Sequence, residues 1–189
     1  METLELAPGS FIDLYRNWTG SPEVLFRMVD QEITWEQKSI KIYGQDTPVP
    51  RMTAWYGSKA YTYSGMTNVP QKTPPTIAML LSRLHRELGY EFNSVLCNLY
   101  RNGKDSVGAH ADDERELGEK PVIASVSLGA TRKFVLRPVG EGMKLTIDLH
   151  GGDLLIMRGR LQETHKHEIP KQTKIVDPRI NLTFRTILG

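Results

Sequence analysis

Apolar positions along this chain change period at Gly89. Before it, from Pro75 to Leu88, they recur at helical spacing: Ile77, Leu80, Leu81, Leu84 and Leu88 share a face, and Gly89 follows as a stop. A shorter helix is predicted from Ser21-Pro22-Glu23, with Ser as N-cap, Pro at the first helical position and an acid in the first turn; Leu25, Phe26 and Val29 give its apolar face. After Gly89 the period becomes two. Segments 93–100, 121–128, 131–137, 143–149, 153–158, 172–176 and 179–187 alternate or are rich in β-branched residues, and Gly, Pro and Asn separate them. So many short strands in half a chain predict a sandwich or barrel rather than a parallel sheet flanked by helices.

The first half is less regular. Residues 1–20 show no clean period, Thr34-Trp35 and Ser39–Tyr43 read as short strands, and Gln45–Pro50 as a loop because Pro48 and Pro50 cannot donate to a ladder. Arg51 to Gly65 is aromatic, with Trp55, Tyr56, Tyr61 and Tyr63; two strands around Gly57-Ser58-Lys59 would make a hairpin that puts Tyr61 and Tyr63 on one face. Thr67–Pro75 reads as a proline-bearing loop. No repeat or linker divides the chain, so one domain over 1–189 is expected.

Composition adds exclusions. Hydrophobic residues make up 39% and charged residues 24% of 189, ordinary for a globular protein. No apolar run approaches the roughly 20 residues that span a bilayer, so no membrane partner is expected. The start, Met-Glu-Thr-Leu-Glu, has no basic-then-apolar pattern of a secretory leader. A single cysteine, Cys97, excludes an internal disulfide and points to a reducing compartment: cytoplasmic, or nuclear in a eukaryote. Net charge is only +2, but residues 158–185 carry seven Lys or Arg against three acids. That is either a solvated basic face or a polyanion groove.

Two strands have an unusual polar face. In 93–100, Val95, Cys97 and Leu99 alternate with Leu96, Asn98 and Tyr100, which puts an amide and a phenol on a side that should be covered. In the last strand Arg179, Asn181, Thr183 and Arg185 share one face and Ile180, Leu182 and Phe184 the other. If the polar face looks inward, two guanidiniums with Cα atoms roughly 20 Å apart need anions between them. A short dicarboxylate suits that gap, and Arg suits carboxylates.

His110-Ala111-Asp112 places an imidazole and a carboxylate on one side of extended backbone. Those are two members of a 2-His-1-carboxylate site, the open-faced set that suits Fe(II). His85 lies on the predicted helix and is set aside. His150, in a turn, and His165 and His167, on one side of an extended segment, remain open for the third ligand.

His110–x–Asp112, a distant His, and Arg179-Ile-Asn181-Leu-Thr183-Phe-Arg185 together resemble the AlkB family of Fe(II)/2-oxoglutarate dioxygenases. The likeness runs over about residues 45–187: Pro50-Arg51 to Gly57 with Tyr61-Thr-Tyr63 resembles that family's nucleotide-recognition lid, and Ile123 to Gly129 a core strand. His167-Glu-Ile-Pro170 resembles its metal-His segment, which selects His167 over His165. The resemblance implies an α+β fold with a double-stranded β-helix, or jelly-roll, core over 91–189, and an N-terminal extension and hairpin lid over 1–90. It implies Fe(II) on His110, Asp112 and His167. It implies 2-oxoglutarate on Arg179 and Tyr100 at one end, Arg185 and Asn98 at the other, with Asn181 between, and O2 as the second co-substrate. A flipped base would stack on Tyr63, with Tyr61 and Glu114 as further contacts. His165 stands where relatives often carry an aromatic such as Trp. The activity implied is oxidative removal of N-alkyl groups, of the 1-methyladenine or 3-methylcytosine type, from DNA or RNA by a monomer. Rival readings are a related dioxygenase acting on a protein or small molecule, and a non-catalytic nucleic-acid-binding module.

Overall fold

The computed structural model describes residues 1–42, 44–57, 61–63, 66–68 and 71–188, with only the backbone described at 42, 61–63 and 66–68. Both expected helices form, α1 at Pro22–Glu32 and α2 at Pro75–Leu88, and Gly89 ends the second at φ 73° with its N–H on His85 O. Ser21 holds the N-cap position of α1 without a side-chain bond. Pro74, before α2, has no side chain with which to cap; Glu32 of α1 reaches across instead, its carboxylate taking the Thr76 N–H at 2.9 Å and hydroxyl at 2.7 Å. No described helix is long and apolar enough to cross a membrane.

The strands are β1 Glu2–Ala7, β2 Ser10–Tyr15, β3 Ser39–Ile42, β4 Gln45–Pro48, β5 Met52–Gly57, β6 Tyr61–Tyr63, β7 Met66–Asn68, β8 Ser94–Tyr100, β9 Val107–His110, β10 Ile123–Gly129, β11 Arg132–Pro138, β12 Leu145–Leu149, β13 Leu154–Gly159, β14 His165–Ile169 and β15 Arg179–Arg185. They build a seven-stranded sheet in the order β1-β2-β13-β10-β15-β8-β5 and a four-stranded sheet in the order β12-β11-β14-β9. Every pairing is antiparallel. The two sheets face each other across a core that includes Ile12, Ile123 and Met157 from one and Phe134, Leu136 and Ile169 from the other. The outer face of the large sheet packs Val95, Cys97, Ile180, Leu182 and Phe184 against Val29, Ile77, Leu80 and Leu84 of the helices. This is the expected jelly-roll core with helices outside it.

Several expectations need correction. Residues 1–20 form the β1–β2 hairpin, whose period is obscured because Asp13 is buried on an ion pair with Arg158. β1, β2 and β5 all join the main sheet, so the core is not confined to residues after 90. Residues 45–48, expected as loop, form β4 on β3, with Pro48 opposite Ser39 at the outer end of a two-stranded ribbon. Residues 34–35 are not a strand; only Glu36 bridges, to Thr53. Among the described residues β6 pairs with β7, while the hairpin expected around Gly57-Ser58-Lys59 turns on residues 58 and 59, which lie outside the described residues. Residues 172–176 are a turn, held by Ile175 N–H on Gln172 O within it and tied to the 101–106 loop by Gln172 N–H on Gly103 O and Gly103 N–H on Ile175 O.

Candidate metal and co-substrate site

β9 and β14 lie side by side with His110 directly opposite His167, and the two ring centroids are 4.3 Å apart. Asp112 follows two residues after His110, where the chain has left the strand and turned inward to complete burial. Ligand-type atoms of the three side chains all lie within 4.8 Å of one another. Nδ1 of His110 is 2.8 Å from the Gly108 carbonyl, which can only accept. Nδ1 therefore carries the proton, and Nε2 keeps the lone pair a metal would use.

The charge states suit such a site. Burial alone would raise the Asp112 carboxyl, but the charge of the Arg185 guanidinium and its hydrogen bond outweigh it and hold it below the usual range. Arg185 Nη2 donates to Asp112 Oδ1 at 2.6 Å. Oδ2 accepts no hydrogen bond among the described residues and lies 3.9 Å from His167 Nε2. His167 is pushed down to about 3, by burial above all, so its imidazole is neutral.

The inward face of β15 lines the floor beside this cluster. Arg179 is fully buried; its Nη2 donates to Ser127 Oγ at 2.9 Å, while Nε and Nη1 find no partner of hydrogen-bond geometry among the described residues. Its guanidinium sits 5.4 Å from the Tyr100 ring. Burial, and then the charge of Arg132, lower it to about 10 against the opposing pull of Tyr100. Two idle donors on a buried cation ask for an anion. Asn181 is committed to β10, donating to Ser125 Oγ at 2.7 Å and to Val126 O, and its oxygen takes the Thr183 hydroxyl. Tyr100, Ser125, Arg179, Asn181 and Thr183 border one cavity, whose walls include Leu96, Val107, Phe134, Met157 and Ile169. Asn98, Tyr100, His110, His167, Arg179, Asn181 and Arg185, far apart in the chain, all line it.

Other sequence candidates stand elsewhere. Glu114 is half-buried at the start of a 3-10 turn and is not among the described cavity-lining residues. Tyr61 and Tyr63 lie on β6, and their side chains are outside the described residues. His85 is exposed, His150 sits in a turn against Thr131, and His165 is buried beside Thr164. The basic stretch is not one groove: Arg158 pairs with Asp13, Arg160 with Glu163, and Arg179 and Arg185 point inside.

Two residues escaped the sequence reading. Arg51, on the approach to β5, is buried at the cavity wall and donates from Nε to Asn98 Oδ1 at 2.7 Å. Gln162 is buried behind Asp112 and accepts its backbone N–H at 2.9 Å. Arg51 sat within a quoted lid motif, which was the available signal; nothing in the spacing of Gln162 marked it.

The sequence profile described as the 2OG-Fe(II) oxygenase superfamily matches residues 16–185. The chain is 42% identical over 192 aligned residues to alpha-ketoglutarate-dependent dioxygenase alkB homolog 3 of Bos taurus, spanning 96% of this chain and 65% of that protein. It is 37% identical over 177 aligned residues to DNA oxidative demethylase ALKBH2 of Mus musculus, spanning 87% and 74%. It thus covers a little less than two thirds of the bovine alkB homolog 3, and 58% of the human one. The solved structure of OsALKBH1 superposes with a TM-score of 0.67 over 97% of this chain and 100% of that one at 17% identity, a likeness of fold.

Proposed function

Because the chain belongs to the 2OG-Fe(II) oxygenase superfamily and, within it, to the AlkB family, we propose that residues 1–189 act as a single oxidative dealkylase domain for N-alkylated bases in nucleic acid. The observation that carries this reading is the convergence of His110, Asp112 and His167 within 4.8 Å, beside a buried Arg179 with two idle donors.

His110, Asp112 and His167 would hold Fe(II), offering two neutral imidazoles and one ionised carboxylate. Fe(II) held there, with 2-oxoglutarate and O2, would supply oxidation of an N-alkyl carbon, which would leave as an aldehyde while the keto-acid became succinate and CO2. Arg179 would take the distal carboxylate of the co-substrate, with Tyr100 beside it; Asn98 and Arg185 would serve the other end, and Asn181 would hold the floor between. Phe134, Ile169, Met157 and Val107 keep water from that space. Tyr61, Tyr63 and Glu114 remain the proposed base contacts, by resemblance to the family's lid. Methylation at adenine N1 or cytosine N3 blocks pairing, which lowers the cost of flipping such a base out. The relatives named DNA oxidative demethylase support nucleic acid as the substrate.

The test is mass spectrometry of short oligonucleotides, each with one methylated base, incubated with the protein, Fe(II), 2-oxoglutarate and ascorbate. Loss of one methylene mass, dependent on 2-oxoglutarate and absent in His110→Ala, is expected. No mass change on any methylated base, by folded and metal-loaded protein, would remove the assignment.

A further inference from the structure

β9 is the weak point of the site. It carries His110, yet it is four residues long, lies at the edge of its sheet, and has β14 as its one neighbour there. Even that pairing is irregular: His110 faces His167 and Val107 faces Ile169, with a register shift between. A short, shifted edge strand does not fix an imidazole by its own ladder.

Arg132, the first residue of β11, supplies what the ladder lacks. It is 1% exposed, and among the described residues its hydrogen bonds go to three main-chain carbonyls and one amide rather than to a carboxylate. One nitrogen, Nη2, donates at 2.8 Å to the carbonyl of Asp105, just before β9, and at 2.8 Å to that of Pro170, just after β14. Nη1 takes the Asn102 carbonyl at 3.2 Å and Nε the Gln172 side chain at 3.3 Å. Around it the same two loops bond directly, Gln172 N–H to Gly103 O and Gly103 N–H to Ile175 O. The planar fork of a guanidinium offers five donors in fixed directions to several carbonyls at once, where an ammonium on a flexible stem offers three around a single point.

We infer that Arg132 is a positioning residue for the metal: it fastens the strand of His110 to the strand of His167 at their common end and so sets the distance between the two imidazoles. The inference rests on the metal reading above. Arg132 is not among the cavity-lining residues; its guanidinium also sits 5.4 Å from the Tyr100 ring, but its hydrogen bonds go to the two strand ends, and through them it acts on the imidazoles.

The test is Mn(II) titration of metal-free protein, followed by electron paramagnetic resonance, on wild type, Arg132→Met, Arg132→Lys and a control, Arg158→Met, which breaks an ion pair on the far side of β13. Loss of a supporting group typically costs metal affinity roughly 10- to 100-fold, and that is the loss expected for Arg132→Met. Arg132→Lys should lose less, and Arg158→Met should bind as wild type whatever its stability. Arg132→Met binding within about twofold of wild type, or Arg158→Met losing as much, overturns the inference. Should Arg132→Met fail to fold, Arg132→Lys carries the test, and affinity within about twofold of wild type overturns it. Wild type that takes no Mn(II), or takes it equally after His110→Ala, sinks the metal reading instead.

Discussion

Arg185 donates to Asp112 across 2.6 Å in a place where neither side chain meets solvent. The pair joins the last strand of the large sheet to the residue just past the edge strand of the small one. It also answers how a carboxylate stays ionised at zero exposure before any metal arrives. A buried pair of this kind is a weak source of net stability while whole, but breaking it strands a charge, at a typical cost of about 3–5 kcal/mol.

Arg185→Met should therefore lose about 3–5 kcal/mol in the metal-free protein, and much of that loss should return with a divalent cation, which gives Asp112 a second counter-charge. Urea unfolding of wild type and variant, with and without Mn(II), measures both. An identical deficit in the two conditions would show that Arg185 acts independently of the Asp112 charge.

Arg179 has the opposite balance. Its burial lowers it to about 10 and leaves Nε and Nη1 idle, so the charge is a burden until an anion binds. Arg179→Met should leave the metal-free protein as stable as wild type or more so, and should abolish stabilisation by added 2-oxoglutarate. Thermal unfolding of Mn(II)-loaded protein across a 2-oxoglutarate series checks this. A variant that keeps the full shift would place the co-substrate elsewhere.

How far the sequence could be read follows from what each residue packs against. Arg179, Asn181, Thr183 and Arg185 were legible as one polar face because the alternate residues, Ile180, Leu182 and Phe184, fill an apolar core without interruption, but whether that face looked inward depended on the opposite sheet. His110 and Asp112 were visible as a pair, but periodicity alone left His167 level with His165, since both point to the same buried side of β14. Residues 172–176 read as a strand on β-branched content, yet their backbone bonds are spent on Gly103 and on the local turn, and Val176 is 77% exposed. β4 was illegible for the converse reason: its residues are exposed and bury no face, so it leaves no pattern. Gln162 and Arg132 act on main-chain groups of distant segments, a contact no one-dimensional pattern encodes.

Gln162 supports Asp112 from behind by accepting its N–H, while its own amide donates to Met157 Sδ. Gln162→Leu keeps the volume and removes the acceptor, leaving a buried N–H unsatisfied, which costs about 1–3 kcal/mol. Gln162→Glu keeps an acceptor but sets a second carboxylate behind the first. Chemical denaturation should show the loss in Gln162→Leu, and Mn(II) affinity should fall in both. Wild-type stability and affinity in Gln162→Leu would mean that the Asp112 N–H finds another acceptor.

The acid limb of stability should start higher than carboxylates alone would set it. His167 has a folded value of about 3 against 6.5 when unperturbed. Between those values the unfolded chain binds a proton that the folded chain refuses, so stability rises with pH across that window. Run downward, the contribution of a neutral His167 is whole above about pH 6.5, declines below it, and is gone once pH passes the folded value near 3. Asp13, Asp105 and Asp112, all lowered despite burial because Arg158, Arg101 and Arg185 pair with them, add their losses only below 3.8. Urea midpoints of metal-free protein should thus fall already between about pH 6.5 and pH 4.5, where those carboxylates are still ionised in both states. In His167→Leu the fall over that interval should shrink. A wild-type profile that is flat there would mean His167 takes up its proton in the folded protein, and a site holding a protonated imidazole beside His110 would be a poor seat for a metal.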